Sequence, residues 1–172
     1  MRVTYMVVGL LVMAGNAAAQ QSPYVDLEDR AIKALSAEDV DALLAGEGMG
    51  YALAAELNGY PGPLHILEFA DSLSLDDDQR LAVQTAFDRM QERARALGTE
   101  LVRREAGLDS AFTRGSIDAA SLEDATAAIA AVQGELRFVH LEAHLEMMGI
   151  LSESQIHRYQ RLRGYHGVGH EH

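Results

Sequence analysis

Leu136 to Gln155 reads LRFVHLEAHLEMMGILSESQ, and it holds both a metal-ligand spacing and a helix-start signal within twenty residues. His140, His144 and Met148 are spaced four apart. Each such step rotates about 40° around a helix, so the three side chains climb one side of it. Two imidazoles and a thioether there form a borderline-to-soft donor row. The apolar pattern slows at Gly149-Ile150-Leu151, and Ser152-Glu153-Ser154-Gln155 then supplies a capping box, with Ser at the N-cap and Gln at N3 reaching back. Leu151 and Ile156 take the staple positions on either side. The spacing predicts a long helix ending near Met148 and a short one starting at Ser152.

Working upstream, a helix restarts near Asp118 or Ser121, and its apolar stripe is Leu122, Ala125, Ile129, Val132, Leu136, Val139, Ala143 and Met147, alternating threes and fours. Before it, Leu75-Asp76-Asp77-Asp78-Gln79 repeats the cap-and-N3 relation. It launches a stripe of Val83, Phe87, Met90, Ala94, Leu97 and Leu101, resumed at Leu108 and Phe112. Two long helices joined through Arg114-Gly115-Ser116 fold back as an antiparallel hairpin. Leu141, Leu145 and Met148 make a second apolar strip that the hairpin seam does not need. That strip must meet another helix, a second subunit or a client.

The chain divides into four expected parts. Residues 1–19 have the charged start, apolar run and Ala17-Ala18-Ala19 ending of a secretory signal peptide, cleaved after Ala19. Gly15-Asn16 interrupts the run before it reaches the roughly 18 residues that a membrane anchor needs. Residues 20–62 form an N-terminal arm of short helical pieces, lightly structured, closing in the turn Asn58-Gly59-Tyr60-Pro61-Gly62-Pro63. Residues 63–163 form the hairpin domain, whose first short helix runs from about Pro63 to Leu73. Residues 164–172 are a Gly/His-rich flexible tail.

Composition narrows the function. With no Cys in an exported chain there is neither a disulfide nor a thiolate metal site. A formal charge of −12 disfavours phosphate-backbone binding and favours cations. Gly46, Gly48 and Gly50 lack the preceding strand, third glycine and Lys-Ser/Thr of nucleotide loops, so no nucleotide is expected. No nucleophile motif and no zinc-protease motif occurs, and the carboxylates sit at caps and i, i+4 positions, which points away from an enzyme. His140 and His144 lie about 40° and 80° from the stripe centre at Leu136, at the edge of the buried face. His65 and Glu68, at i, i+3 on the short preceding helix, are the candidates to complete a site for a divalent Zn, Ni, Co or Cu ion. Six of the seven histidines fall within residues 140–172, and His166, His170 and His172 in the tail form a second, weaker set.

Leu-Ser-x-x-Gln at 151–155, its degenerate partner Leu-Asp-x-x-Gln at 75–79, the signal peptide and the hairpin between the motifs resemble the periplasmic LTxxQ family of Spy-, CpxP- and ZraP-like chaperones and CnrX-like heavy-metal sensors. The resemblance covers about residues 60–165. It implies an all-α, four-helix hooked hairpin that forms an antiparallel homodimer. It also implies either metal sensing and resistance, with a membrane-bound signalling partner, or ATP-independent chaperoning of unfolded envelope proteins. In the metal-sensing branch the ligands are a His-x-x-x-His on the first helix, a Glu, and a late His-x-x-x-Met. His144 and Met148 match the last of these, while His65 stands alone on the first helix.

Overall fold

The two Leu-x-x-x-Gln segments meet in space, and their meeting fixes the hooked end of the fold. The computed structural model describes residues 22–165. Its helices are α1 (Ala37–Ala45), α2 (Leu53–Glu56), α3 (Pro63–Glu68), α4 (Asp77–Thr113), α5 (Ala119–Ile150) and α6 (Glu153–Leu162), after a 3-10 turn at Val25–Leu27. No strand occurs among the described residues, and α3 to α6 form the four-helix hooked hairpin. The signal-peptide reading, its cleavage site, and His166, His170 and His172 lie outside the described residues.

Both expected caps form. Asp76 Oδ1 accepts from Gln79 N at 2.8 Å and Ser152 Oγ accepts from Gln155 N at 3.3 Å, while each glutamine's Oε1 accepts from its own N-cap amide. The glutamines also pair with each other. Gln79 Nε2 donates to Gln155 Oε1 at 3.0 Å, and Gln155 Nε2 donates to Gln79 Oε1 at 2.9 Å. Their amides further donate to carbonyls across the hook: Gln79 to Ile150 O at 2.9 Å, Gln155 to Leu73 O at 3.4 Å. Orphan groups at two helix starts and two preceding turns are thereby satisfied by one amide pair. Leu75 and Leu151, each just before its cap, are buried in a common core with Ile66, Val83, Met147 and Tyr159.

The long helices pack along their predicted stripes, with Ala94, Leu101, Ile129, Val132, Leu136 and Val139 in a second core. Phe112, at the end of the α4 stripe, is exposed, one residue before α4 ends at Thr113. Arg93 Nη1 to Glu142 Oε2 at 2.5 Å, and Arg89 to Glu146, bridge the flank of the pair. At the surface such pairs favour register more than stability. Two boundaries differ from expectation. The α3 helix stops at Glu68, where Phe69 leaves helical geometry, and α5 continues to Ile150.

The N-terminal arm is more firmly held than its composition suggests. Leu43 of α1 enters the second core, and a Cβ at Gly98 of α4 would lie 2.0 Å from the Leu43 carbonyl oxygen. Only glycine lets the two helices cross that closely. Gly46 ends α1 at φ +73, and Arg95 Nε donates to the Ala45 carbonyl at 3.1 Å. The loop that follows, Gly46 to Tyr51, is thus carried across α4 to the face where α5 presents its histidines.

Candidate metal centre

His140 and His144 sit on consecutive turns of α5, at the edge of the core stripe, and are 3% and 8% exposed. Both line one cavity of about 440 Å³ between α5, α4, the Gly46–Ala52 loop and the start of α3. Tyr51 stacks on His140 with ring planes 3° apart and centroids at 6.0 Å. Burial, reinforced by the neighbouring His144, pushes His140 below the usual imidazole range, so it is neutral at pH 7. Its Nε2 is buried with no hydrogen-bond partner among the described residues. A buried nitrogen left in that state is costly unless something occupies it.

His144 is fixed differently. Its Nδ1 lies 2.8 Å from the Tyr60 carbonyl oxygen, which can only accept, so Nδ1 carries a hydrogen, and in the neutral ring the lone pair is then on Nε2. No hydrogen bond reaches that Nε2 among the described residues, and it lies 3.1 Å from where a Gly62 Cβ would stand. A backbone carbonyl behind one ring nitrogen is the arrangement that orients a metal-ligating histidine.

Behind this ring lies a group that the sequence did not reveal. Glu56, the last residue of α2, is 8% exposed, and its Oε1 accepts from Tyr159 Oη at 2.7 Å, Tyr165 Oη at 3.0 Å and Arg163 Nε at 3.2 Å. Its Oε2 has no hydrogen-bond partner among the described residues and stands 3.8 Å from His144 Nδ1. Burial and the Glu56 carboxylate raise the Tyr159 phenol well above its usual range, so it stays a donor. Nothing in a four-residue alanine-rich helix marks Glu56 as buried, and its three partners are more than a hundred residues downstream.

The remaining expected ligands are placed unequally. His65 borders the same cavity, with its Nδ1 2.8 Å from Glu68 Oε2. Glu68 is exposed and does not line the cavity. Met148 is 39% exposed and does not line it either, while Met49 and Met90 do. Among the described residues no three His, Cys, Asp or Glu side chains converge tightly enough to hold a cation. The residues therefore fit a metal as a pair of imidazole nitrogens, with further donors still to be supplied.

No curated protein and no solved structure matches the chain. A family model described as heavy-metal resistance matches residues 42–158, a span that takes in the capping boxes of Gln79 and Gln155, both long helices and the histidine pair. That span is well over half of the chain, and the chain accordingly belongs to the heavy-metal resistance family, within the LTxxQ group of Spy- and CpxP-like proteins.

Proposed function

We propose that this heavy-metal resistance protein works in the periplasm by binding a transition-metal ion through Nε2 of His140 and Nε2 of His144, without catalysing a reaction. The observation that carries the reading is the pair of buried imidazoles on one cavity wall, each with an unbonded Nε2 and one held by a carbonyl behind it. The acidic surface raises the local cation concentration around the cavity. Export rests on the signal-peptide pattern; among the described residues no helix is long and apolar enough to cross a membrane. Calorimetric titration of the full chain, with His166, His170 and His172 changed to Gln to silence the tail, tests the site. Binding should disappear when His140→Ala and His144→Ala are added. Equal affinities with and without that pair of changes would refute it.

A second reading has its own observation. Phe138, Leu145 and Met148 are exposed along one side of α5, with Leu141 half-buried beside them. An apolar strip of this kind suits a homodimer surface or capture of unfolded envelope proteins. Replacing Phe138 and Leu145 by Ser should abolish any suppression of client aggregation while leaving metal binding intact. Retained suppression would set the chaperone reading aside.

A further inference from the structure

We propose that the cavity is a soft monovalent-cation site, taking Cu(I) or Ag(I), in which the thioethers of Met49 and Met90 complete the ligation begun by His140 and His144. The inference rests on the metal-binding reading above and names the class of ion. Beyond the two imidazoles, a third ligand has to come from what lines the cavity. Glu47 and His65 border it, yet no three His or carboxylate side chains converge among the described residues. Zinc sites in proteins take four protein donors when structural and three with a water when catalytic, so a borderline divalent ion finds an incomplete shell of two imidazoles here. Soft d10 monovalent ions accept two or three donors and prefer thioethers and imidazoles, which are what this cavity offers.

Two features single out the methionines. Met90 comes from α4, half-buried beside the second core, and so presents its sulfur from a rigid element. Met49 comes from the loop carried over α4 and has φ +41, a left-handed conformation that a non-glycine residue adopts at some cost. Gly46 and Gly50 flank it at φ +73 and +80, and Gly48 has open space around its Cα. The loop is anchored at one end by Arg95 on Ala45 and at the other by Tyr51 stacked on His140. Its fixed ends hold Met49 on the cavity wall, and its glycines let it adjust. The sequence pairs the histidine row of α5 with His65 and Glu68 of α3; the cavity is lined by His65 but not Glu68, and adds Met90 of α4 and Met49 of the arm.

The test uses the full chain with the three tail histidines changed to Gln, titrated anaerobically with Cu(I) against a chromogenic chelator, with Ag(I), and separately with Zn(II) and Ni(II). The chain should bind one Cu(I) or Ag(I) more tightly than either divalent ion. Met49→Leu combined with Met90→Leu should weaken the monovalent ions about tenfold or more and leave Zn(II) and Ni(II) unchanged, since thioethers hold divalent borderline ions poorly. Met148→Leu is the control and should change nothing. Methionine methyl spectra of the unsubstituted protein keep the test open should the double variant misfold. Ag(I) should shift the Met49 and Met90 resonances and spare Met147 and Met148. Divalent ions binding more tightly than Cu(I), or methionine variants that bind Cu(I) as the parent does, would overturn the inference while His140→Ala and His144→Ala still abolish binding. Binding that survives the loss of both histidines would instead overturn the metal-site reading beneath it.

Discussion

Gln79 and Gln155 each serve two masters, closing a capping box at the start of a helix and gripping the other's amide across the hook. Gln155→Ala removes the donor to Leu73 O and the partner of Gln79 together, leaving half-buried amide and carbonyl groups unpaired. Unfolding by denaturant should show a loss of about 1–3 kcal/mol, more than the roughly 1 kcal/mol expected for Ser152→Ala, which removes a cap alone. A Gln155→Ala midpoint no lower than that of Ser152→Ala would contradict the reciprocal pair. The caps were legible because Asp-x-x-Gln and Ser-x-x-Gln are local patterns. The amide pair was not, because nothing local relates residues 76 apart.

Asp118, N-cap of α5, carries a second residue-scale prediction. Its carboxylate accepts from Ser121 Oγ and from the Ser121 amide, which holds its pKa below the ordinary Asp value. The unfolded chain therefore takes up this proton first as pH falls. The capping contribution is fully present above the unfolded value, near pH 4, and is lost as pH drops through the lower folded one. Replacing Asp118 by Asn should flatten part of the acid limb of a plot of thermal midpoint against pH. An unchanged limb below about pH 4 would show that the cap carries no such linkage.

At the scale of elements, the arm decides whether there is a cavity at all. The Gly98 crossing brings α1 onto α4, and α1 delivers the loop bearing Met49 and Tyr51. Gly98→Ala would gain about 1 kcal/mol of helix propensity in isolation. Its methyl would overlap the Leu43 carbonyl, so a net loss of about 1–3 kcal/mol is expected from overpacking. Cleavage at Glu38 and Glu47 by a glutamate-specific protease should accelerate as α1 lifts. An alanine variant that is more stable and equally resistant would contradict the crossing. The hairpin was readable from its stripes of threes and fours. The arm was not, because Gly46, Gly48 and Gly50 look like punctuation until α4 supplies a glycine of its own to receive Leu43.

For the whole molecule, the α5 strip of Phe138, Leu145 and Met148 and the cavity lie on neighbouring sides of one helix, so the proposed association and the proposed metal binding would share a support without sharing side chains. Sedimentation at micromolar concentration should show a homodimer that Phe138→Ser with Leu145→Ser reduces to monomer. A parent chain that sediments as monomer would contradict that use of the strip. The histidines at the stripe's edge were visible from the sequence, and their neighbours Tyr51, Glu56, Met49 and Met90 were not, since the loop after α1, the end of α2 and the middle of α4 are brought to them by packing that no local pattern records. The central claim, that two unbonded Nε2 atoms form the metal-binding pair, is tested most directly by long-range proton–nitrogen spectra of the histidine rings. Without metal, His144 should carry its proton on Nδ1, as its bond to the Tyr60 carbonyl requires. Adding metal should shift Nε2 of His140 and His144 and leave their Nδ1 resonances nearly in place. Shifts confined to Nδ1, or to the tail histidines alone, would contradict the account.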